Sequence, residues 1–298
     1  MNRASPPARV GGDRVAHGLL ARPVTLELAP GEVADFAPDG RVFPAGSRVF
    51  LSHIAGRPLA AQAEAARTLA ERGFRPVPHL GARNYASEAA FARHIGHLTA
   101  AGVEEALFVG GNPATAHGPF TEAAELLSHP VLADAAIRKT YLAVHPEGHP
   151  TVDRSRIEAA FARKLELCAA RGIRPAAVSQ FGFDGEGLGR FAAGFAAAHP
   201  GMELRLGLAG VTSLAKLVGF AVRCGVGPSL SVLRTSPGAL FGAAAERDPA
   251  AVIAGIDAAG LPESADVHAH FFVFGGWRKT LAWVAERREE LILGHLRG

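Results

Sequence analysis

Two histidines four residues apart, with a glutamate between them and prolines on either side, make up HPEGHP at His145–Pro150. Three chemistries fit that spacing: a metal site, an ordinary rigid loop, or part of a cofactor cradle. The prolines forbid the helical arrangement that would aim both rings at one ion. A metal would also need a third converging ligand. His268 and His270, in VHAH, supply the right type, but the HxH of barrel metal hydrolases follows an early strand and this one lies in the last. No metal site is expected. Glu27 is a second candidate. It lies within the apolar run VTLEL, where burial would raise its pKa and let it donate a proton near neutral pH; a surface glutamate paired with an arginine is the plainer reading. FVGGNP, Phe108–Pro113, ends a strand with two glycines whose backbone can approach a ligand closely, although the same residues make an ordinary turn.

These residues need elements to hold them. Short apolar runs alternate with Ala/Leu/Arg/Glu-rich stretches such as Pro58–Gly73 and Ser87–Gly102. Strands are expected at Val24–Leu28, Arg48–His53, Arg75–Leu80, Glu104–Gly111, Thr140–Pro146, Arg174–Phe181, Glu203–Gly210 and Ala265–Phe274. Strands that alternate with helices imply a parallel sheet. Eight such units predict an α/β fold of the (β/α)8, or TIM-barrel, type in one domain covering residues 21–298. An open doubly wound sheet is the competitor, but LELAPGE lacks its glycine-rich first turn. Ala29–Ser47 reads as a long loop, and Gly225–Gly260 as extra helices, with SLSVLR as an alternative strand. In a barrel the chemistry collects at the C-terminal strand ends. Here those ends carry Glu27, Ser52, His53, His79, Asn112, His145, Glu147, His149, Gln180, Asp184, His268 and His270.

The composition sets further bounds. The chain has 298 residues, 48% hydrophobic and 20% charged, which suits one sizeable core. The formal charge of +3 comes without any basic block, so nucleic acid is not an expected partner. The two cysteines, Cys168 and Cys224, have no paired spacing. No run is apolar and long enough for a membrane span or a signal peptide. A cytoplasmic protein with a flexible tail at residues 1–20 is expected, and a homo-oligomer is left open.

Taken in order, VTLELAP, PVPHL, ALFVGGNP, AVHPEGHP, AVSQFGFD and LGLAGVTS resemble the methylenetetrahydrofolate reductase family from about Val24 to Trp277. The resemblance implies FAD across the strand ends, NADH or NADPH as electron donor, and a tetrahydrofolate derivative as substrate in one-carbon metabolism. Glu27 would then be the general acid on the folate, with Asn112 beside the flavin where the family carries aspartate. His53, His79, Gly110, Gly111, His145, Glu147, His149 and Lys164 would contact the cofactor. Gln180, Phe183, Leu214 and Arg278 would contact the folate. A flavin-free reductase using NADH directly, or a non-catalytic folate-binding protein, are the alternatives.

Overall fold

The computed structural model describes residues 18–54, 56–149, 151–224 and 246–297. Eight parallel strands close into a barrel: β1 (Thr25–Leu28), β2 (Arg48–Leu51), β3 (Arg75–Gly81), β4 (Glu105–Val109), β5 (Lys139–Val144), β6 (Arg174–Ser179), β7 (Leu204–Ala209) and β8 (Val267–Phe272). The ring closes through β1 against β8, with Glu27 in register with Phe272, while on its other side Glu27 pairs with Phe50 of β2. All eight expected strands are present, each slightly shorter than its expected run except β3, which extends one residue further to Gly81. The helices are α1 (Leu59–Glu71), α2 (Glu88–Ala100), α3 (Ala123–Ser128), α4 (Arg154–Ala170), α5 (Gly185–Ala198), α6 (Leu214–Cys224), α7 (Ala250–Ala258) and α8 (Trp277–Arg297). A two-residue ribbon, Thr212–Ser213 against Glu246–Arg247, lies between β7 and α7. No described helix is long and apolar enough to cross a membrane.

Strand periodicity divides the core in two. Residues such as Leu26, Leu28, Val49, Leu51, Leu80, Phe108 and Leu142 face outward and pack under the helices. The opposite parity fills the barrel interior with Phe50, Val77, Leu107, Tyr141, Ala176 and Val178. Below that layer lies a polar one. Arg48 Nε donates to Glu105 at 2.6 Å, the Tyr141 hydroxyl shares its one proton between Glu105 at 3.1 Å and Glu203 at 3.2 Å, and Lys139 and Arg205 both bind Glu203. Burial alone would raise the Glu203 pKa; the Arg205 and Lys139 charges outweigh it and bring it down to about 2. This paired network seals the N-terminal end of the barrel.

One sequence boundary moves. Leu19 and Leu20 form a buried turn packed into the core, so the tail does not extend to residue 20, and residues 1–17 lie outside the described residues. The Ala29–Ser47 segment is irregular apart from a short turn at Pro30–Glu32, where the Glu32 carboxylate accepts from the Ala29 backbone N–H at 2.7 Å. Of the Gly225–Gly260 stretch, α7 is a helix as expected; SLSVLR lies outside the described residues.

Candidate functional site

Inward parity along β1, β3 and β8 brings Glu27, His79 and His270 together above Phe50. Glu27 Oε2 lies 3.7 Å from His79 Nε2 and 3.9 Å from His270 Nε2. All three atoms are buried and have no hydrogen-bond partner. Buried polar groups rarely stay unpaired, because leaving one unsatisfied costs about 1–3 kcal/mol. Three together mark a place built for something else. Burial raises the Glu27 pKa, against the pull of His79, and favours the protonated acid. Burial also lowers the His79 pKa and brings His270 down to about 3, so both rings are neutral. The Phe50 ring underlies the pair, 4.5 Å from the His270 ring and 6.0 Å from the His79 ring.

An aromatic wall rises beside them. Phe181, Phe183, Ala209 and Leu217 form a separate cluster with Leu214, Phe220, Phe272 and Phe274 packed against it. Phe274 has φ 49, the one positive value at a non-glycine among the described residues. A left-handed phenylalanine costs roughly 1–2 kcal/mol, and here it stacks the ring on Phe220 at 4.3 Å and packs it against Phe181 at 5.3 Å. The expected contacts Phe183 and Leu214 thus belong to one wall, with Phe272 in register beside Glu27.

The other candidates fall into separate groups. His53 accepts the Gly81 N–H at Nδ1 (3.1 Å) and packs on Tyr85, and burial lowers its pKa to about 4. Gly110 and Gly111 serve the crossing of two strand-end loops. The Gly110 carbonyl accepts the Arg83 backbone N–H at 2.9 Å, and a Cβ on Gly81 would lie 3.4 Å from the Gly111 Cα. Asn112 is exposed just beyond. In HPEGHP, residues 145–149 form a turn closed by the Gly148 N–H on the His145 carbonyl, with the two imidazoles edge to face at 5.3 Å. Its carboxylate, Glu147, is half-buried in that turn. His145 keeps an unpaired Nδ1, and burial brings its pKa to about 4. Lys164 of α4 lies close enough for its charge to act on His145, and burial lowers its own pKa. Gln180 turns its Oε1 onto the N–H of Phe181 at 3.1 Å. Arg278 is exposed, donates to the Asp35 carbonyl at 3.0 Å and stacks on Trp277, bordering a hollow of about 430 Å³ formed with residues 34–38, Arg72 and Phe74.

No group of three metal-ligating side chains suited to an ion occurs among the described residues. His268 does not join HPEGHP. It sits one layer below His270 and pairs with Asp266 at 2.7 Å near the ion network. His270, named from the sequence only as a possible metal ligand and one of many polar strand ends, is the site residue to which no motif gave a place beside Glu27. Its signal was the period-2 run His268, His270, Phe272, Phe274; which of the two histidines meets Glu27 depends on the β1–β8 register.

No family model matches the chain. Solved structures with some similarity include oxaloacetate acetylhydrolase in complex with 3,3-difluorooxalacetate (9% identity, 92% of this chain and 83% of that one, TM-score 0.48). Others are a protein described as a phosphonomutase from Burkholderia cenocepacia J2315 (11% identity, 93% and 97%, TM-score 0.46) and CitE from Mycobacterium tuberculosis with magnesium, acetoacetate and coenzyme A (14% identity, 82% and 97%, TM-score 0.35). At these levels none assigns an activity to this chain. None of these names is a folate reductase or a flavoprotein, and on that finding the expectation is corrected. The oxidoreductase activity, FAD, NADH or NADPH, and the tetrahydrofolate substrate are withdrawn, together with the flavin-free and folate-binding alternatives. The physical reason lies in the motifs. Turn glycines, prolines and polar strand ends recur wherever parallel strands hand over to helices, so short motifs in order reported the barrel's periodicity and not its chemistry.

Proposed function

We propose that the barrel mouth is an acid–base active site for a small organic molecule, with Glu27 as the proton donor and His79 as the neutral imidazole that takes a proton. One observation carries this reading: the two imidazole nitrogens lie 3.7 and 3.9 Å from the carboxyl oxygen, and all three atoms are buried and unpartnered. A carboxyl that burial keeps protonated, beside an imidazole that burial keeps neutral, sets a proton donor next to a proton acceptor. The phenylalanine wall limits water and strengthens each interaction inside. Charge on the far side favours an anionic substrate. Arg83 lies over the β4 end with its Nε–H on the Gly110 carbonyl, and Lys164 stands behind His145. Both are cations, and a carboxylate or phosphate group is what they suit.

The test is the protonation state of Glu27. Infrared difference spectra at pH 7 should contain a protonated-carboxyl band that Glu27→Gln removes. If that band is missing and Glu27 is ionised at pH 7, it is not the acid and the reading falls.

A further inference from the structure

Outside the barrel, a cavity of about 500 Å³ opens between α7, α8 and the turn at Leu19–Ala21. Helical spacing puts its lining on one face of each helix: Ile253, Ala254 and Asp257 of α7, and Trp283, Arg287 and Glu290 of α8, with Leu20 beside them. The walls are tied together. The Leu19 N–H donates to Asp257 at 3.3 Å, and Arg288 Nε donates to the Leu20 carbonyl at 2.9 Å. The lining is mostly apolar. Yet Trp283, 8% exposed, has its indole N–H buried without a partner among the described residues, and so has the Nε–H of Arg287 one turn further on. Positions i and i+4 share a helix face, and the guanidinium carbon lies 6.0 Å from the centre of the Trp283 ring. Leaving a buried donor unpaired is costly, so two on one face point to an acceptor that the protein does not supply. Strand β8 separates this cavity from Glu27, because His270 faces the barrel interior while Phe271 faces out onto Trp283 at 6.4 Å.

We propose that this cavity is a second binding site, which takes an uncharged, largely apolar molecule through a carbonyl oxygen that accepts the Trp283 N–H. Its volume lies in the range of small-molecule sites, about 300–1,000 Å³. The charges choose the head group. Asp257 and Glu290 set two acidic groups against one cation, Arg287, whose Nη1 already donates to Glu290 at 2.6 Å. A carboxylate would be repelled there. An ammonium would be drawn in but has no lone pair for the indole N–H. A carbonyl oxygen has two, and it brings no charge that must be desolvated. The site needs neither Glu27 nor any reading of the barrel mouth.

The experiment uses the full chain at pH 7 with 15N-labelled indoles. The chain has two tryptophans, so Trp277→Phe assigns the Trp283 signal. Octan-2-one, octanoate and octylammonium carry three head groups on similar chains. Octan-2-one should move the Trp283 indole proton downfield and saturate, with Trp277 unmoved, and should bind about tenfold more tightly than either ion. Trp283→Phe keeps an aromatic wall without the N–H and should weaken binding about five- to tenfold by calorimetry. Ala254→Trp places a bulky ring at an exposed position of the lining and should abolish binding. No saturable shift with octan-2-one, equal affinity for either ion, full affinity in Trp283→Phe, or binding that survives Ala254→Trp overturns the inference. The wild-type shift and the order of the head groups stand as tests even where a variant fails to fold.

Discussion

Glu27 is the residue at which stability and the proposed chemistry conflict. Its carboxyl sits among Phe50, Phe272 and two neutral imidazoles, with one oxygen unpaired. An unsatisfied buried group costs about 1–3 kcal/mol, and the fold bears that cost for no packing gain. Replacing Glu27 with methionine, of similar length and without the polar atoms, should therefore raise stability to urea by about 1–2 kcal/mol while removing the acid. Urea unfolding of wild type and Glu27→Met is the measurement. A clear loss of stability in the variant would mean that the carboxyl holds the barrel together, and its functional role would have to be given up.

At the scale of elements, α5 and α7 approach closely because glycines face each other. A Cβ on Gly185 would sit 2.2 Å from the Val252 carbonyl oxygen and 3.0 Å from the Gly255 Cα. One on Gly189 would lie 2.5 Å from the Ala259 Cβ. Glycines inside helices cost about 1 kcal/mol each against alanine, and the contact they permit offsets this. Gly185 also follows Asp184, the residue that caps α5 by accepting the Gly187 N–H at 3.0 Å, and Phe183 of the aromatic wall precedes it. Gly185→Ala should destabilise the protein by about 1–3 kcal/mol through overpacking in spite of its better helix propensity. Gly194→Ala, where nothing lies within 4 Å of the added Cβ, serves as the control and should be neutral or mildly stabilising. Thermal unfolding of the two variants checks the pair; equal effects would show that α5 is not held by this contact.

For the whole molecule, buried histidines set the acid limit. Burial lowers His53 and His145 to about 4, and His94 and His270 to about 3, from an ordinary 6.5. Their folded values are depressed, so the unfolded chain takes up protons first. Stability is fully present above pH 6.5 and should fall as the pH drops toward 3. Glu203 adds to the loss at lower pH. Its folded value of about 2 lies below the ordinary 4.5, so its contribution is present above pH 4.5 and lost as the pH falls through 2. Glu27 runs the other way, because its raised value favours the folded state at low pH and loses that contribution as the pH rises. The histidines outnumber it, so the urea midpoint should decline from pH 7 to pH 4. A flat midpoint over that range would mean that these rings are not held neutral.

Strand positions were legible in the sequence because a period of two and short apolar runs are local properties. VTLELAP, ALFVGG and AVSQF each revealed a strand, and eight of them alternating with helices imposed a closed parallel sheet. Glu27 and His79 could be named as candidates for the same reason, since each stands at a polar position in an apolar strand. The partner was not legible. His270 meets Glu27 only because β1 and β8, some 240 residues apart in the chain, close the barrel with Thr25 in register with His270. A shift of one residue would have turned that ring outward. Nor did the sequence separate a ligand loop from a structural one. HPEGHP and FVGGNP have the residue types of a cradle, yet in the fold one closes the turn from β5 to α4 and the other lets Arg83 bridge two loops. Pairing across the barrel and the burial of unpartnered atoms arise from contacts between distant segments, so only the tertiary structure decided them.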